Sequence, residues 1–442
     1  MTTTLIKEYV TIPGDALTKR EWKQLFKRLT FIDGEGRVLE CWRPKAKTGA
    51  VQIPRGAWSL LPDRIEYRDK RSLPLGNVMD FELELEPEGQ PQFEGQKAAV
   101  KSMFKQEQGM IIRPPGSGKT QVALAFIAQA GTPTLVLVHT EDILNQWIEY
   151  TKRSIPEAEI GMIRGSTVTV GDITFATVQT FYQMMLEEPE KWRDVFGCVI
   201  VDEAHHAPAN TWEVILNNLS AYYRFGFTAS PTRADGMHPY INILIGPVIH
   251  RKKFKSQVPL TVQVVKTDFR YRYRGAWDWG NLVRELITST KRNRQIAEVV
   301  DGESRAGNSI LVLSRRVDHL ERIAGLMHEP CEILAAKTTN KSERKRILSE
   351  FRDGRTRVVL ATQLADEALD IPRLSRIALV HPGKHEGRII QQVGRTIRKH
   401  PDKVDAVIYD FADMKVGILR RQFLNRKRSY KKMGAKLKGV LL

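Results

Sequence analysis

Cysteine is scarce in this chain. The 442 residues include three cysteines, Cys41, Cys198 and Cys331, which lie far apart in the sequence. No two of them have the close spacing of a metal-ligand pair. A chain with so few cysteines fits a reducing compartment such as the cytoplasm, where disulfides are rare.

Long apolar runs are also missing. No run approaches the ~18 consecutive apolar residues that indicate a transmembrane helix. The N-terminal residues Met1 to Glu8 lack the basic and then apolar order of a signal peptide. We therefore expect a cytoplasmic protein (in the host cytoplasm if the chain is viral) with no membrane partner.

Acidic residues are outnumbered. The chain contains 51 Asp and Glu against 69 Lys and Arg, which gives a net charge of +18 and a pI near 9.7. This excess favours a polyanionic partner, although it says nothing about the fold. A hydrophobic content of 42% and a charged content of 27% are ordinary for a globular protein. The length predicts two or three domains, each large enough to bury a core.

One glycine-rich stretch carries the clearest chemical signal. Residues Arg113 to Thr120, RPPGSGKT, follow the apolar run Met110–Ile112 and precede a helix-like segment. A strand, a glycine loop and a helix that opens with Lys-Thr make up a P-loop, whose backbone N–H groups surround phosphates. In such a loop Lys119 would contact the β- and γ-phosphates of a nucleotide, and the Thr120 hydroxyl would bind Mg²⁺. The other predicted phosphate-binding residues are Pro115, Gly116, Ser117 and Gly118.

Short apolar runs alternate with helix-length, polar-faced segments over most of the chain. The first set is Met110–Ile112, Leu135–Val138, Ile173–Ala176, Cys198–Val201 and Arg224–Phe227. The second set is Val262–Val265, Ile310–Leu313, Val358–Ala361, Ile377–Val380 and Ala406–Tyr409. Most of these runs are apolar on both faces, which is typical of parallel strands that helices cover. The sequence therefore predicts an α/β fold with two tandem units, of which the first carries the P-loop.

The N-terminal block has a different character. Leu17 to Leu29 indicates a short basic amphipathic helix, and the alternation in Asp80 to Glu86 predicts a half-buried strand with an acidic outer face. The breaker-rich stretch Pro87 to Pro91 is a candidate boundary. Residues 1–71 contain fifteen Lys and Arg against nine Asp and Glu. This basic part would either contact nucleic acid or form a solvated charged face.

A segment rich in arginine and aromatic residues separates the two α/β units. It runs from Asp268 to Gly280, and we interpret its alternation as one arm of a hairpin that turns near Gly275. Interleaved arginine and aromatic side chains suit contacts with phosphates and stacking on bases. An amphipathic strand that packs its aromatic residues on the second unit fits equally well. The candidate nucleic-acid-binding residues are Tyr271, Tyr273, Trp277 and Trp279.

The C-terminal end is strongly basic. Residues 414–442 contain ten Lys and Arg and no acidic residue. This composition favours a basic helix that contacts nucleic acid over a solvated tail.

A second chemical motif lies 83 residues after Lys119. The apolar run Cys198–Val201 leads directly into Asp202 and Glu203, at the strand end where ligands of α/β sheets bind. Asp202 suits the Mg²⁺ site that Thr120 shares, and Glu203 is placed to orient or deprotonate the attacking water.

Together with the P-loop, the sequence Asp202-Glu203-Ala204-His205 resembles the superfamily 2 helicases of DEAH type. The resemblance covers about residues 92–415, because further helicase motifs follow in family order. It implies RecA-like domains at 89–256 (ATP binding) and 257–442. Residues 1–88 carry no helicase motif, and their mixed character predicts a small α+β accessory domain. Gln96 resembles the glutamine that reads adenine. Leu135 to Thr140 resembles a family motif of the first domain. Trp147 lies on the helix predicted after that motif, and we expect it to be a core residue.

The resemblance also implies positions that contact nucleic acid. In the first domain they are His139 and Thr140 after one strand, and Thr177 and Gln179 after another. In the second domain they are Arg315, Arg316, Thr362 and Gln363. Thr228 to Thr232 resembles the motif that couples these contacts to the phosphate site.

The last motif, Gln391 to Arg398, has the family form Q-x-x-G-R-x-x-R. Gln391, Arg395 and Arg398 are thereby implied as catalytic residues, and Asp370 as a nucleotide contact. In that family the two arginines act as fingers on the γ-phosphate when the domains close.

Two positions depart from the family pattern. Arg113 stands where the P-loop has a small residue, and Ala368 stands where a glycine is usual. Neither change removes a predicted catalytic side chain, so we expect an active ATPase.

The strongest likeness within the superfamily is to DNA translocases of the phage UvsW and XPB-like type. It implies an ATP- and Mg²⁺-dependent DNA helicase that acts as a monomer on the backbone of branched or duplex DNA. An RNA helicase and the motor of a restriction or nuclease system remain alternatives.

Overall fold

The computed structural model describes residues 3–32, 36, 38–46, 48–165, 167–204, 209–229, 238–253, 258–335, 339–362, 371, 373–383 and 403–439. The chain divides into two compact units, Met1–Lys253 and Phe254–Leu442. Over the described ranges, no helix combines the length and the apolar character that crossing a membrane requires.

The first unit begins with a small sheet and one helix. The strands are β1 (Thr4–Ile6), β2 (Tyr9–Ile12), β3 (Thr30–Ile32), β4 (Val38–Glu40), β5 (Arg43–Lys45), β6 (Ala50–Pro54) and β7 (Tyr67–Asp69). Five of them form a sheet in the order β5-β6-β2-β1-β7, and β3 pairs with β4. Helix α1 (Lys19–Arg28) begins at a capping box, in which Thr18 and Glu21 satisfy each other's backbone N–H groups. The helix predicted over Leu17 to Leu29 is present, and it lies with these strands in the same compact unit as the larger sheet.

The rest of the first unit is an eight-stranded sheet covered by helices. Its strands are β8 (Gln108–Ile112), β9 (Thr134–Val138), β10 (Ile160–Arg164), β11 (Thr167–Thr169), β12 (Ile173–Thr177), β13 (Cys198–Asp202), β14 (Tyr223–Thr228) and β15 (Val248–Arg251). They lie in the order β11-β10-β12-β9-β13-β14-β8-β15, and every pairing except β10 with β11 is parallel. The covering helices are α2 (Gln96–Gln106), α3 (Lys119–Ala130), α4 (Glu141–Ser154), α5 (Val178–Glu187), α6 (Pro189–Trp192), α7 (Ala209–Leu216) and α8 (His238–Ile245).

Buried polar contacts join the N-terminal sheet to this larger sheet. Arg55 begins a 3₁₀ turn (Arg55–Leu60) and is fully buried. Its guanidinium donates to Gln108 Oε1 at 2.9 Å and to the Ala221 carbonyl at 2.5 Å. Arg71 binds Glu107 at 2.6 Å. Separating the two sheets would leave these buried polar groups without partners, which costs free energy. The two sheets therefore behave as parts of one unit.

The second unit is built on a seven-stranded sheet. Its strands are β16 (Leu260–Lys266), β17 (Ile310–Ser314), β18 (Glu332–Leu334), β19 (Val358–Thr362), β20 (Arg376–Leu379), β21 (Ala406–Ala412) and β22 (Lys436–Lys438). They lie in the order β18-β19-β17-β20-β21-β16-β22, with parallel pairing throughout. The helices are α9 (Trp279–Thr288), α10 (Thr290–Arg305), α11 (Val317–Ala324), α12 (Lys341–Asp353) and α13 (Gly417–Lys432). The predicted parallel sheets in two tandem units are confirmed. Nine of the ten predicted strand runs lie inside strands, and the run Ile377–Val380 extends one residue past the end of β20.

The strand predicted over Asp80 to Glu86 is wrong. The segment makes no ladder with another strand, but the backbone N–H of Glu82 donates to the Ser154 carbonyl at the end of α4. Phe81 and Leu85 pack against the core beneath, and the acidic residues between them face outward. The alternation correctly predicted which side faces the core, but the partner is a pair of helices.

Candidate nucleotide and nucleic-acid site

The predicted phosphate loop joins β8 to α3. Gly116 and Gly118 have positive φ angles of 70° and 72°, which L-residues with a side chain rarely adopt. Gly118 is also the N-cap of α3, and no side chain caps the first turn of that helix. A Cβ atom at Gly118 would lie 2.1 Å from Gln96 Nε2. The loop therefore has the glycine-dependent backbone of an anion-binding site at a helix N-terminus.

Lys119 and Glu203 form an ion pair at this loop. Lys119 Nζ lies 2.6 Å from Glu203 Oε1, and both side chains are largely buried. Glu203 follows β13 with a φ angle of 47°, an unusual conformation for a residue other than glycine. Its second oxygen, Oε2, accepts from the Ala229 N–H at 3.4 Å. The backbone after β14 thus contacts the carboxylate of the predicted catalytic glutamate.

Asp202 is held by two donors. The Glu203 N–H donates to its Oδ1 at 3.0 Å, and the indole N–H of Trp147 donates to Oδ2 at 2.9 Å. Burial and the neighbouring Glu203 carboxylate raise the pKa of Asp202, against the opposing effect of Lys119. Trp147 is buried, as expected, but the sequence did not reveal its hydrogen bond to the aspartate.

Gln96 packs against the phosphate loop. It is fully buried at the start of α2. Its Nε2 donates to Gln121 Oε1 at 2.8 Å and to the Gly118 carbonyl at 3.4 Å, while its Oε1 accepts from the Glu86 N–H at 2.8 Å. The predicted adenine-reading glutamine is therefore attached directly to the predicted phosphate-binding loop.

Two of the predicted nucleic-acid contacts in the first unit cap helices. Thr140 Oγ1 accepts from the Ile143 N–H at the start of α4, and Thr177 Oγ1 accepts from the Thr180 N–H at the start of α5. Strands β9 and β12, which precede them, are parallel neighbours, so both caps lie at the carboxyl edge of the sheet. His139 and Gln179 are exposed beside these caps. This edge also carries the phosphate loop, Asp202 and Glu203.

The carboxyl edge of the second sheet holds further predicted contacts. Ser314 at the end of β17 lies in register with Thr362 at the end of β19. Arg315 and Arg316 follow Ser314 and are exposed, and Arg316 is ion-paired with Asp318. The predicted residues that lie outside the described part of the chain are Gln363, Asp370, Gln391, Arg395 and Arg398.

The hairpin predicted over Asp268 to Gly280 is wrong. Among the described residues the segment pairs with no strand, and it passes through a 3₁₀ turn (Ala276–Asp278) into α9, which begins at Trp279. Tyr271, Tyr273 and Trp279 pack against the core that α9 forms, whereas Trp277 is 71% exposed. The structure therefore separates the four predicted stacking residues into three that pack inward and one that faces solvent.

Buried Asp278 organises this segment. Its Oδ1 accepts from the Tyr271 hydroxyl at 2.9 Å, and its Oδ2 accepts from the Arg274 backbone N–H at 3.1 Å. The side chains of Arg270, Arg272 and Arg274, which precede the turn, are exposed. Among the described residues, none of these three guanidiniums has an ion-pair partner.

The fold and the site together define a class: a P-loop nucleotide-binding unit followed by a second unit with a RecA-like sheet. Comparison with known proteins gives the family. Residues 90–233 match the model for the type III restriction enzyme res subunit, and residues 291–400 match the model for the helicase conserved C-terminal domain. The chain belongs to the superfamily 2 helicases, and is therefore an ATP-dependent helicase by family.

Two curated relatives have similar sequences. The DNA 3'-5' translocase XPB2 of Sulfurisphaera tokodaii is 27% identical over 74% of this chain and 84% of its own length. The DNA 3'-5' helicase XPB of Kineococcus radiotolerans is 28% identical over 74% of this chain, but the match spans 62% of that relative. Among solved structures, S. cerevisiae Dbp5 bound to RNA and ADP BeF3 has a TM-score of 0.57 at 14% identity, covering 78% of this chain and 89% of Dbp5. This last likeness concerns the fold alone.

Proposed function

We propose that this protein is an ATP-dependent DNA helicase or translocase that remodels branched DNA such as forks, junctions or recombination intermediates. The names of the two XPB relatives support DNA as the substrate and 3′→5′ as the polarity. The preference for branched DNA rests on the sequence resemblance.

The observation that carries the proposal is the arrangement of Lys119, Asp202 and Glu203 at one sheet edge. Phosphate oxygens of ATP would compete with Glu203 for the Lys119 ammonium group, because both are anionic ligands of the same cation. Glu203 would then be released from Lys119 to act on the attacking water. The Ala229 N–H donates to the other Glu203 oxygen, so a movement of the Glu203 carboxylate away from Lys119 would also change the contact with the backbone after β14.

The residues beside Lys119 fit a magnesium site. Asp202 presents a carboxylate and Thr120 a hydroxyl, and hard oxygen ligands of this kind suit Mg²⁺ with several retained waters. Bound there, Mg²⁺ would offset phosphate charge during transfer. Arg395 and Arg398 stay predicted arginine fingers.

Lysine-to-alanine substitution at position 119 tests the proposal. Lys119→Ala should lower DNA-stimulated ATP hydrolysis by about 100-fold or more, because it removes the cation that contacts the transferred phosphate. Lys97→Ala is the matched control, since Lys97 is an exposed lysine on the neighbouring helix α2. Full stimulated hydrolysis in Lys119→Ala would contradict the mechanism.

The substrate is tested with the unaltered protein. ATP hydrolysis and strand separation are measured with duplex DNA, forked DNA, four-way junctions and RNA of matched length. Greater stimulation by forks and junctions than by linear duplex is expected. Stimulation by RNA alone would replace the DNA assignment by an RNA helicase.

A second candidate is the motor of a restriction system, which the match to the res-subunit model over residues 90–233 favours. Such a motor would translocate on linear duplex DNA without a preference for branches. Equal stimulation by linear and branched duplexes, without strand separation, would favour this alternative.

A further inference from the structure

Arg113, which departs from the family pattern, lies beneath the phosphate loop. It directly follows β8, and its backbone N–H donates to the Thr228 carbonyl at the end of β14. The residue has no exposed surface. Its guanidinium is therefore fixed inside the first unit, under the residues that should surround the phosphates.

The guanidinium binds three separate segments of the chain. Its Nη2 donates to the Ser117 carbonyl at 2.9 Å, and Nε donates to the same oxygen at 3.3 Å. Nη2 also lies 3.1 Å from the Glu94 carbonyl and 3.3 Å from the Phe93 carbonyl. Nη1 lies 3.2 Å from His250 Nε2 on β15. One side chain thus connects the phosphate loop, the loop before α2 and an edge strand.

These contacts hold a buried cation without a carboxylate. Within the described residues, Arg113 has no ion-pair partner at salt-bridge distance, and burial lowers its pKa to about 10. The group remains charged at neutral pH, so carbonyl oxygens and the neutral form of His250 must stabilise it. A planar guanidinium can bind several acceptors at fixed angles, which a lysine ammonium cannot reproduce.

The Ser117 carbonyl determines where the next amide points. A trans peptide is planar, with its C=O and N–H groups on opposite sides. Because the Ser117 carbonyl faces Arg113 below the loop, the N–H of Gly118 faces the opposite, phosphate-binding side. Arg113 therefore fixes the direction of one amide of the predicted phosphate cradle.

The same guanidinium fixes the loop that carries Gln96. Phe93 and Glu94 lie three and two residues before this glutamine, and the Gln96 N–H donates back to the Phe93 carbonyl at 3.2 Å. Gln96 in turn donates to the Gly118 carbonyl. The glutamine loop and the phosphate loop are thus connected twice, once through Gln96 and once through Arg113.

We propose that Arg113 is a positioning residue that joins the base-reading loop and the phosphate loop into one rigid element, so that recognition of the base and binding of the phosphates depend on each other. This inference rests on the proposed ATP-binding function of the loop. It assigns Arg113 no contact with the nucleotide.

The test replaces Arg113 by lysine, which keeps the charge and removes the planar fork. Arg113→Lys should weaken ATP binding by about tenfold and GTP binding by less, so that the preference for ATP falls. The kcat at saturating ATP should change little, because Arg113 touches neither the reacting phosphate nor the water. Equilibrium binding of fluorescent ATP and GTP analogues and a steady-state separation of KM from kcat measure these effects.

Arg224 supplies a matched control. It is equally buried and donates to the carbonyls of Leu244, Leu216 and Leu219 at 2.9, 2.6 and 2.9 Å. It lies near the start of β14, at the opposite end of the strand from Thr228. Arg224→Lys should lower thermal stability as much as Arg113→Lys while changing ATP and GTP affinities by less than about twofold.

ATP binding by the loop and positioning by Arg113 are tested by different outcomes. Absence of ATP binding by the unaltered protein would remove the proposed function itself. If the unaltered protein prefers ATP but Arg113→Lys keeps that preference, or loses affinity for ATP and GTP equally, the positioning role is refuted. If Arg113→Lys fails to fold, the variant His250→Ala tests the positioning role instead, because it removes the contact between the guanidinium and the His250 ring. That variant should shift the preference for ATP in the same direction by a smaller factor, and an unchanged preference would refute the role.

Discussion

Trp147 shows how one indole N–H can position a carboxylate, here that of Asp202, which is predicted to bind Mg²⁺. Its ring is packed in the core of the first unit, while its nitrogen reaches Asp202 Oδ2. With the Glu203 N–H on Oδ1, both carboxylate oxygens have a fixed donor. Hydrogen bonds of this kind, donated to a metal ligand by the residues behind it, orient the ligand before a metal ion binds.

Trp147→Phe tests this role, because it removes the N–H and keeps an aromatic ring. The affinity for a fluorescent ADP analogue should fall by about tenfold with Mg²⁺ and change much less with EDTA. Trp212→Phe is the control, since Trp212 is also buried and, among the described residues, its indole nitrogen has no hydrogen-bond partner. An equal loss with Mg²⁺ and with EDTA would make Trp147 a packing residue alone.

Spacing in the sequence predicts some of these residues and not others. Lys119, Asp202 and Glu203 belong to short motifs at strand ends, so their meeting at one sheet edge follows from the fold. The Trp147 to Asp202 bond and the Arg113 to His250 contact join residues that are 55 and 137 positions apart. No periodicity encodes such contacts, because the first depends on how helix α4 packs on the sheet and the second on which strands lie side by side.

The segment from Asp268 to Gly280 shows that the sequence pattern of an element also leaves its contacts undetermined. Its alternation predicted that alternate side chains face opposite sides, and they do. The sequence could not show that Asp278 would bind Tyr271 and the Arg274 backbone, which closes the segment into a local turn and replaces pairing with a second strand. The strand predicted over Asp80 to Glu86 failed for a similar reason, since alternation defines a buried side and not a partner.

Two tryptophans in this segment should respond differently to alanine. Trp277→Ala should weaken single-stranded DNA binding by about tenfold without changing the melting temperature, because an exposed ring can stack on a base. Trp279→Ala should lower the melting temperature, because its ring packs edge-on against Tyr273 in the core. Fluorescence anisotropy and thermal unfolding measure the two effects. Wild-type DNA affinity in Trp277→Ala would exclude stacking at this position.

Charge is divided unequally over the whole molecule. Residues 1–253 contain 30 Lys and Arg and 30 Asp and Glu, so the first unit is neutral. Residues 254–442 contain 39 and 21, so the second unit carries the whole net charge of +18. Not every cation is available, since Arg426 on α13 is buried in an ion pair with Asp410. The long-range attraction for a polyanion nevertheless originates in the second unit.

The salt dependence of DNA binding should reflect this division. Replacing Arg272 and Arg274 together by alanine should reduce the slope of log K against log salt by about 1.4 for single-stranded DNA, since each phosphate contact contributes about 0.7. Replacing the exposed Lys23 and Lys27 of α1 is the control and should leave the slope unchanged. An equal reduction in the control would place phosphate contacts on the N-terminal helix.

The attachment of the N-terminal sheet has a mechanical consequence. Arg55 holds Gln108, the first residue of β8, and the last residue of that five-residue strand adjoins Arg113. Tension on the N-terminal sheet would therefore be transmitted along β8, a short strand next to the edge of the larger sheet, to the residues beneath the phosphate loop. A load attached to this sheet, such as a resisting protein or a taut duplex, would reach the residues predicted to hold ATP through one buried hydrogen bond and the backbone of β8.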